Sequence, residues 1–478
     1  MKSLRCILPS LLLVMAATML LMLAPAHAAM AQRQQVFVWM TTADKAQLLT
    51  EQAQKLHFIK PLPTTESTIL IDDTQKFQTI DGFGHALTGG TAQLMMKMSD
   101  FTRRKLLEEL FGHGKDQIAT SYIRVTVGAS DMNDHVFTYD DMPDGETDPQ
   151  LRHFSLAPDQ VNVIPVLKEI IHIQPQIKIL ASPWTAPAWM KDNGKAKGGK
   201  LREEFYSAYA MYWVKYLKDM EASGIRIDAL TPQNEPENPK NTPSMVMTSA
   251  EEADFIGNYL GPALAKAHLH TKIVNYDHNC DHANYSIDLL KNQVAARYTD
   301  GSGFHLYLGS IDALTKVHEA FPNKNIYFTE QMVVPKKDAT DFGIASPVAR
   351  LIIGAPENWS RNVLLWNLAA DPQNGPHTKD GGCPMCSGAI TLDGDSVTRN
   401  LAYYVTAHAS KFVPDGSVRI ASHAAADALP HVAFLTPRKS HVLIVSNPSN
   451  EVKTFAIRWH EMNAEAALQA GAVATYVW

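Results

Sequence analysis

At 478 residues the chain is longer than one ordinary domain, and 45% apolar with 19% charged residues is a folded, globular composition that excludes disorder, collagen and coiled coil. Its 43 Lys and Arg against 49 Asp and Glu give a net charge of -6, spread along the chain with no basic block, which argues against nucleic acid as a partner. Beyond the N-terminus no uninterrupted apolar stretch reaches the roughly 18 residues that cross a bilayer, so no transmembrane span is expected in the mature chain.

Lys2 and Arg5 precede an apolar run over residues 7–25, and Ala26-His27-Ala28 places small residues where a signal peptidase reads them. Residues 1–28 are therefore expected to be a signal peptide, and the protein to be exported, periplasmic or extracellular. Residues 29–78 form an N-terminal segment whose start is polar and amphipathic. Two short strands follow, 68–71 and 76–80, separated by Asp72-Asp73-Thr74-Gln75. They are too few to bury a face alone and are expected to pair with strands from the other end of the chain.

From residue 79 to 410 short β-branched or apolar runs alternate with longer helical patterns, the signature of parallel βα units. Strands are expected around Gly82-Phe83-Gly84 and over 121–125, 178–182, 227–231, 272–274, 303–307, 325–329 and 363–367, which is the count of a (β/α)8 barrel. The helical stretch 202–223 repeats Phe205, Tyr209, Tyr212, Trp213, Tyr216 and Leu217 at spacings of three and four, an aromatic stripe for core packing. After residue 411 alternating strands at 431–435, 442–445, 454–457 and 473–478 give a C-terminal β-sandwich domain over 411–478.

In such a barrel the reacting groups sit at the carboxyl ends of the strands. Two strands end in glutamate: Thr231-Pro232-Gln233-Asn234-Glu235-Pro236 closes the fourth and Thr329-Glu330-Gln331 the seventh. Cleaving a glycosidic bond needs one carboxylic acid to protonate the departing oxygen and one carboxylate at the anomeric carbon, and this pair can supply both. An isolated Glu-Pro is a solvated turn; the second strand-end glutamate and the barrel pattern change that reading. Aromatics that could face sugar rings recur at the same end: Trp184 and Trp189 after the third strand, His305 and Tyr307 after the sixth, Trp366-Asn367 after the eighth, with Arg124 and Asp131 flanking the second.

Other features are read as bland. The loop 131–148 holds seven acidic residues without the glycine and spacing of a calcium loop, and is expected to be a solvated flap. The lysine- and glycine-rich 191–200 lacks the order of a phosphate loop and reads as a mobile loop bordering the barrel mouth. His278, Cys280 and His282 alternate and could share one face of an extended segment, but a plain loop is the expectation. Cys383 and Cys386 supply half of a zinc site or a local disulfide, and the disulfide suits an exported protein.

Taken in order, Ile80-Asp81-Gly82-Phe83-Gly84, Ser121-Tyr122-Ile123-Arg124-Val125, Tyr139-Asp140-Asp141, Ala181-Ser182-Pro183-Trp184-Thr185-Ala186-Pro187, Asn234-Glu235-Pro236, Thr329-Glu330 and Ser410-Lys411-Phe412-Val413-Pro414 resemble glycoside hydrolase family 30, the glucosylceramidase-like retaining β-glycosidases of clan A. The likeness runs from about residue 78 to the C-terminus. It implies a (β/α)8 barrel with a β-sandwich built from both ends of the chain. It implies Glu235 as acid/base and Glu330 as nucleophile, with Arg124, Asp131, Trp184, Asn234, His305, Tyr307 and Trp366 lining a glucose subsite. No metal and no organic cofactor is called for, and Cys280 stands where related chains are expected to carry an aromatic. The Cys383/Cys386 loop looks like that of bacterial members.

The leading expectation is thus an exported glucosylceramidase-like β-glucosidase acting by double displacement on a glycolipid or β-glucan, and the sequence carries no signal of oligomeric state. Its nearest rival is an endo-β-1,6-glucanase on the same barrel, and the rival of another class is a non-catalytic carbohydrate-binding protein, which an aryl-β-glucoside assay would separate. Glu330 ionised and Glu235 protonated would give a bell-shaped pH profile whose basic limb belongs to Glu235.

Overall fold

The chain opens with β1 (Gln35–Thr41), β2 (Thr50–Glu51), β3 (Leu56–His57) and β4 (Ser67–Thr79). The computed structural model describes residues 34–60, 67–335, 341–425 and 428–478, so the leader read over residues 1–28 lies outside the described residues. Strand β1 lies in the stretch read only as amphipathic; Val36 and Val38 alternate inward and give it a buried face. The two strands expected over 68–80 are one strand of 13 residues. Its register against the C-terminal sheet slips where Asp72 faces Ala421 and Lys76 faces Ile420. Asp72 Oδ1 accepts from the Thr74 amide at 3.0 Å and satisfies the bulge locally, which is why the polar tetrad does not end the strand.

Next come the barrel strands β5 (Gly82–Leu87), β6 (Tyr122–Thr126), β7 (Lys178–Ser182), β8 (Ala229–Leu230), β9 (Lys272–Asn279), β10 (Thr299–His305), β11 (Asn325–Glu330) and β12 (Ser360–Asn367). All pair in parallel, and β12 closes on β5. Gly84 is required by this closure, since a Cβ there would fall 1.8 Å from the Tyr122 carbonyl oxygen. The interior is filled by Tyr122, Leu180, Ala229, Val274, Tyr327 and Leu364. At the N-terminal end Asp81 accepts from Lys178 Nζ at 2.9 Å and Arg361 Nη2 at 2.9 Å, tying the bases of three strands together. Outside the barrel, Tyr209, Tyr212, Trp213 and Tyr216 of the helix Tyr206–Ala222 are buried, as a packing stripe requires.

Beyond β12 a small sheet of β13 (Ala369–Ala370), β14 (Ile390–Asp393) and β15 (Ser396–Arg399) extends the eighth unit. The chain ends in β16 (Val418–His423), β17 (His431–Leu435), β18 (His441–Ser446), β19 (Lys453–Trp459), β20 (Met462–Leu468) and β21 (Val473–Val477). One sheet runs in the order β2-β1-β21-β18-β17-β16-β4-β19-β20, so strands from both termini interleave around a second core that includes Val36, Ile69, Leu443, Ile457 and Tyr476. Among the described residues no helix is long and apolar enough to cross a membrane.

The helix Leu401–Ser410 joins the two bodies. Thr406 Oγ1 lies 3.1 Å from Nε2 of His85 in the barrel, while His408 meets Thr41 of β1 and Thr475 of β21 at 2.9 Å each. Burial pulls His408 down to about 3 and His85 down to about 4, so both stay neutral when folded. In the unfolded chain each takes a proton near pH 6.5. Their contribution to stability is therefore complete above that pH and is lost as the pH falls toward the folded values, on the order of a few kcal/mol together. Calorimetry from pH 7 to pH 4 should show a falling melting temperature, with a shallower fall in His408→Gln; an unchanged slope in the variant would contradict this account.

Candidate active site

The carboxyl ends of the barrel strands deliver a buried set of charges to one point. Arg124, from the middle of β6, spreads its guanidinium across three strands: Nη1 reaches Glu330 Oε2 at 2.5 Å, and Nη2 reaches Asn234 Oδ1 and Asp277 Oδ2 at 2.7 Å each. Asp277 also accepts from Ser182 Oγ at 3.1 Å and Thr231 Oγ1 at 2.8 Å, and its other oxygen lies 3.1 Å from His305 Nε2. His305 thereby presents Nδ1 to Glu235 Oε1 at 3.1 Å and to Glu330 Oε1 at 3.8 Å. Asn238 donates to Glu235 Oε2 at 2.7 Å, and the Tyr307 hydroxyl donates to Glu330 Oε1 at 2.8 Å.

One ligating atom from each of Glu235, His305 and Glu330 lies within 4.8 Å of the others, the only such convergence of three His, Cys, Asp or Glu side chains among the described residues. His305 already engages Asp277 through its other nitrogen and Arg124 already supplies Glu330 with a cation, so the set reads as a proton-sharing carboxylate pair. The spacing suits two carboxyl groups acting on one sugar carbon from opposite sides.

The electrostatics differ from the simple expectation of a protonated Glu235. Burial would raise the Glu235 carboxyl, but the hydrogen bond and charge of His305, with His278 and Asn238, pull it down to about 2. Burial would lower His305, but the charge of Glu330 and the hydrogen bonds to Asp277 and Glu235 push it up to about 9. Both shifts describe one proton on the hydrogen bond between them, resting on the imidazole side. Glu330 is raised, by burial first, against the opposing charges of His305 and Arg124.

Above the charges lies a cavity of about 390 Å³ lined by Asp131, Trp184, Asn234, Glu235, Tyr307, Glu330 and Trp366 among others. Trp184 and Trp366 face each other with centroids 5.3 Å apart, and the Arg124 guanidinium sits 5.0 Å from the Trp184 ring. Asp131 Oδ1 and Trp184 Nε1 are buried without a hydrogen-bond partner, an acceptor or donor held for a hydroxyl. Burial, then the charges of Glu330 and Glu235, raises Asp131 to about 8. A larger cavity, about 910 Å³, lies elsewhere, by Trp39 and Lys411; there Arg399 forks onto Glu109 and Lys55 pairs with Glu51.

The nine residues that the family resemblance implied gather here, though not in one layer; Trp189, also expected to face a sugar, instead donates its Nε1 to the Asp140 carbonyl and packs on Phe205, and Asn367 accepts from Thr88 and Thr91. Arg124 and His305 are fully buried beneath the cavity and are not part of its wall, so they act on the carboxylates instead of on a sugar. Sequence reading missed Asp277, the hub of the network, because the fifth strand was ended at Val274. In fact β9 carries five more residues, with Tyr276 and Asp277 at φ 71° and 53°. The loop 131–148 is no solvated flap: Asp131, Asp140 and Asp148 are buried. Nor is 191–200 a free loop, since the buried Lys191 donates to Thr185 Oγ1 and the Ser244 carbonyl at 2.8 Å each. His282 pairs with Glu237, Cys280 is a buried free thiol, and Cys383 and Cys386 are disulfide-bonded.

Replacing Asp277 by Asn removes an anion from both Arg124 and His305. Such a loss within a buried charge set costs about 3–5 kcal/mol, and denaturant unfolding should show it. The His305 imidazole should at the same time titrate below about 9 by NMR; an unmoved titration would exclude Asp277 as its anchor.

Residues 80–413 match the glycosyl hydrolase family 30 TIM-barrel domain and residues 416–476 the family's β-sandwich domain. The chain is 34% identical over 411 residues to an endo-1,6-β-D-glucanase of Trichoderma harzianum, covering 81% of each, and 29% identical over 439 residues to the lysosomal acid glucosylceramidase of Mus musculus, covering 86% of this chain and 83% of that one. A solved endo-β-1,6-glucanase superposes with a TM-score of 0.85 at 31% identity, over 93% of this chain and 99% of its own. The chain belongs to glycosyl hydrolase family 30 and is a glycoside hydrolase acting on O-glycosyl bonds.

Proposed function

We propose that the protein is an exported β-1,6-glucanase that works by double displacement. The observation that carries the chemistry is the convergence of Glu235 and Glu330 on one tryptophan-flanked cavity. Glu330, oriented by Arg124 and Tyr307, attacks the anomeric carbon and forms a glycosyl ester. Glu235 passes the proton it shares with His305 to the departing oxygen, then takes one from the water that opens the ester. The linkage rests on likeness: the endo-1,6-glucanases stand at 34% identity and the glucosylceramidase at 29%, which reverses the order expected from the sequence alone. A glucosylceramidase is the second reading, supported by the exposed apolar Leu308 and Met385 at the rim. A polymer outside the cell suits an export leader, and the Cys383–Cys386 bond supports an oxidising compartment; N-terminal sequencing of the mature protein tests cleavage after Ala28.

Product analysis on β-1,6-glucan, glucosylceramide, β-1,3-glucan and xylan tests the substrate: β-1,6-linked oligosaccharides should be released and xylan left intact, whereas turnover of glucosylceramide alone would sink the glucanase reading. Glu330→Gln should abolish turnover and covalent labelling by a 2-fluoro glycoside, and a label found on another residue would refute the nucleophile. Glu235→Gln should slow a poor leaving group by about 10²–10⁴-fold and an activated aryl group far less.

The pH profile of kcat/KM should be a bell. Its acid limb, protonation of Glu330, lies above the ordinary glutamate value of 4.5 because Glu330 is raised. Its alkaline limb is loss of the proton shared by Glu235 and His305, near 9, and so belongs to the pair and not to Glu235 alone.

A further inference from the structure

We propose that the disulfide-closed turn Cys383–Cys386 is the wall that meets the leaving-group side of the substrate, with Met385 as its contact, so that this turn sets discrimination among leaving groups. The inference rests on the reading of Glu235 as the acid, because the departing group must lie on the side of the residue that protonates it. Two anchors place the turn on that side. Thr242, in the loop that follows Glu235, donates its amide to the Gly381 carbonyl at 3.2 Å, one residue before the cavity-lining Gly382. Thr378 Oγ1 donates to the Thr242 carbonyl at 2.8 Å, so the two loops are stitched at successive points. Asn238 and Asn241 from the Glu235 loop line the same cavity as the turn.

The disulfide divides the turn into an inner and an outer part. Cys386 is buried against Trp184 and Trp366, whereas Met385, one residue earlier, is 65% exposed at the cavity edge. A Cα–Cα distance of 5.4 Å between the bonded cysteines leaves the two residues between them little freedom, so Met385 is held at the cavity edge. Of the twelve large hydrophobic side chains that are exposed among the described residues, Tyr307, Leu308 and Met385 open on this one cavity. An apolar rim around a charged floor offers contact to the C–H face of a leaving sugar.

The test compares extended and minimal substrates. For wild type, Met385→Ala and Cys383→Ser/Cys386→Ser, kcat/KM is measured on a β-1,6-linked gluco-oligosaccharide and on β-glucosyl fluoride, whose leaving group is a single atom. In both variants the ratio of the oligosaccharide value to the fluoride value should fall roughly fivefold to tenfold, with the loss in KM, the scale of one apolar pocket contact. Because Met385→Ala keeps the disulfide, it reports on the wall even where the double variant folds poorly. Equal losses on both substrates, or an unchanged ratio in Met385→Ala, would overturn the proposal. Wild type that cleaves the fluoride but no β-1,6 linkage would instead overturn the substrate reading, and the ratio is then taken on whichever extended β-glucoside of the panel it does cleave.

Discussion

Everything at the top of the barrel depends on Asp277, a carboxylate with no exposed surface. An isolated ion in that position would be expelled or neutralised, and it is held by an arginine, two hydroxyls and a histidine drawn from four other barrel units. The same bonds that stabilise it also aim its partners. Arg124 cannot reach Asp277 and Asn234 without turning its remaining Nη1 toward Glu330, and His305 cannot meet Asp277 through Nε2 without turning Nδ1 toward Glu235. Orientation of both outer carboxylates is thus a consequence of satisfying one inner one. Local strain accompanies it: Tyr276, Asp277 and Glu235 all take positive φ, which side-chain-bearing residues avoid unless the surroundings enforce it.

The two ends of the barrel divide the work. At the N-terminal end Asp81 binds Lys178 and Arg361 and Lys178 reaches on to Asp415, an arrangement that fastens strand bases to the chain leading into the sandwich. At the C-terminal end the comparable charges surround a cavity. The sandwich meets the barrel through a shared apolar core that includes Phe83, Phe434, Val442 and Ile444, through the Arg419–Glu357 ion pair and through the neutral histidine contacts on the helix Leu401–Ser410. Charges that must titrate are kept apart from those that hold the bodies together.

The sequence disclosed the barrel because each strand is a short apolar run, and it disclosed Glu235 and Glu330 because each follows such a run at the end where chemistry occurs. It did not disclose Asp277. That residue lies in Asn275-Tyr276-Asp277-His278-Asn279, whose polarity looks like a loop, and only partners as distant as Arg124, 153 positions away, make it a strand interior. Strand β1 was missed for a similar reason: its seven residues find their ladder on β21, at the opposite end of the chain. The acidic stretch 131–148 misled because burial of Asp131 and Asp140 is decided by what folds over them, not by local charge density.

The shared proton explains how a closed site can run both halves of a double displacement. In the proposed resting state His305 carries the proton, Glu235 and Glu330 are ionised, and Asp277 balances Arg124. When the leaving group departs with that proton, Glu330 becomes a neutral ester and His305 becomes neutral, while Glu235 is left as the anion that must next serve as base. One positive and one negative charge vanish together, so the buried set has the same net charge before and after, and the low-dielectric site is never asked to bury an extra ion. The charge of Glu330 is also the foremost influence that opposes burial in raising His305, ahead of Asp277 and Glu235, so esterification weakens the hold of His305 on a proton during the second half. A histidine fixed between Asp277 and Glu235 therefore lets the proton follow the nucleophile's charge, and that is the physical reason for its burial.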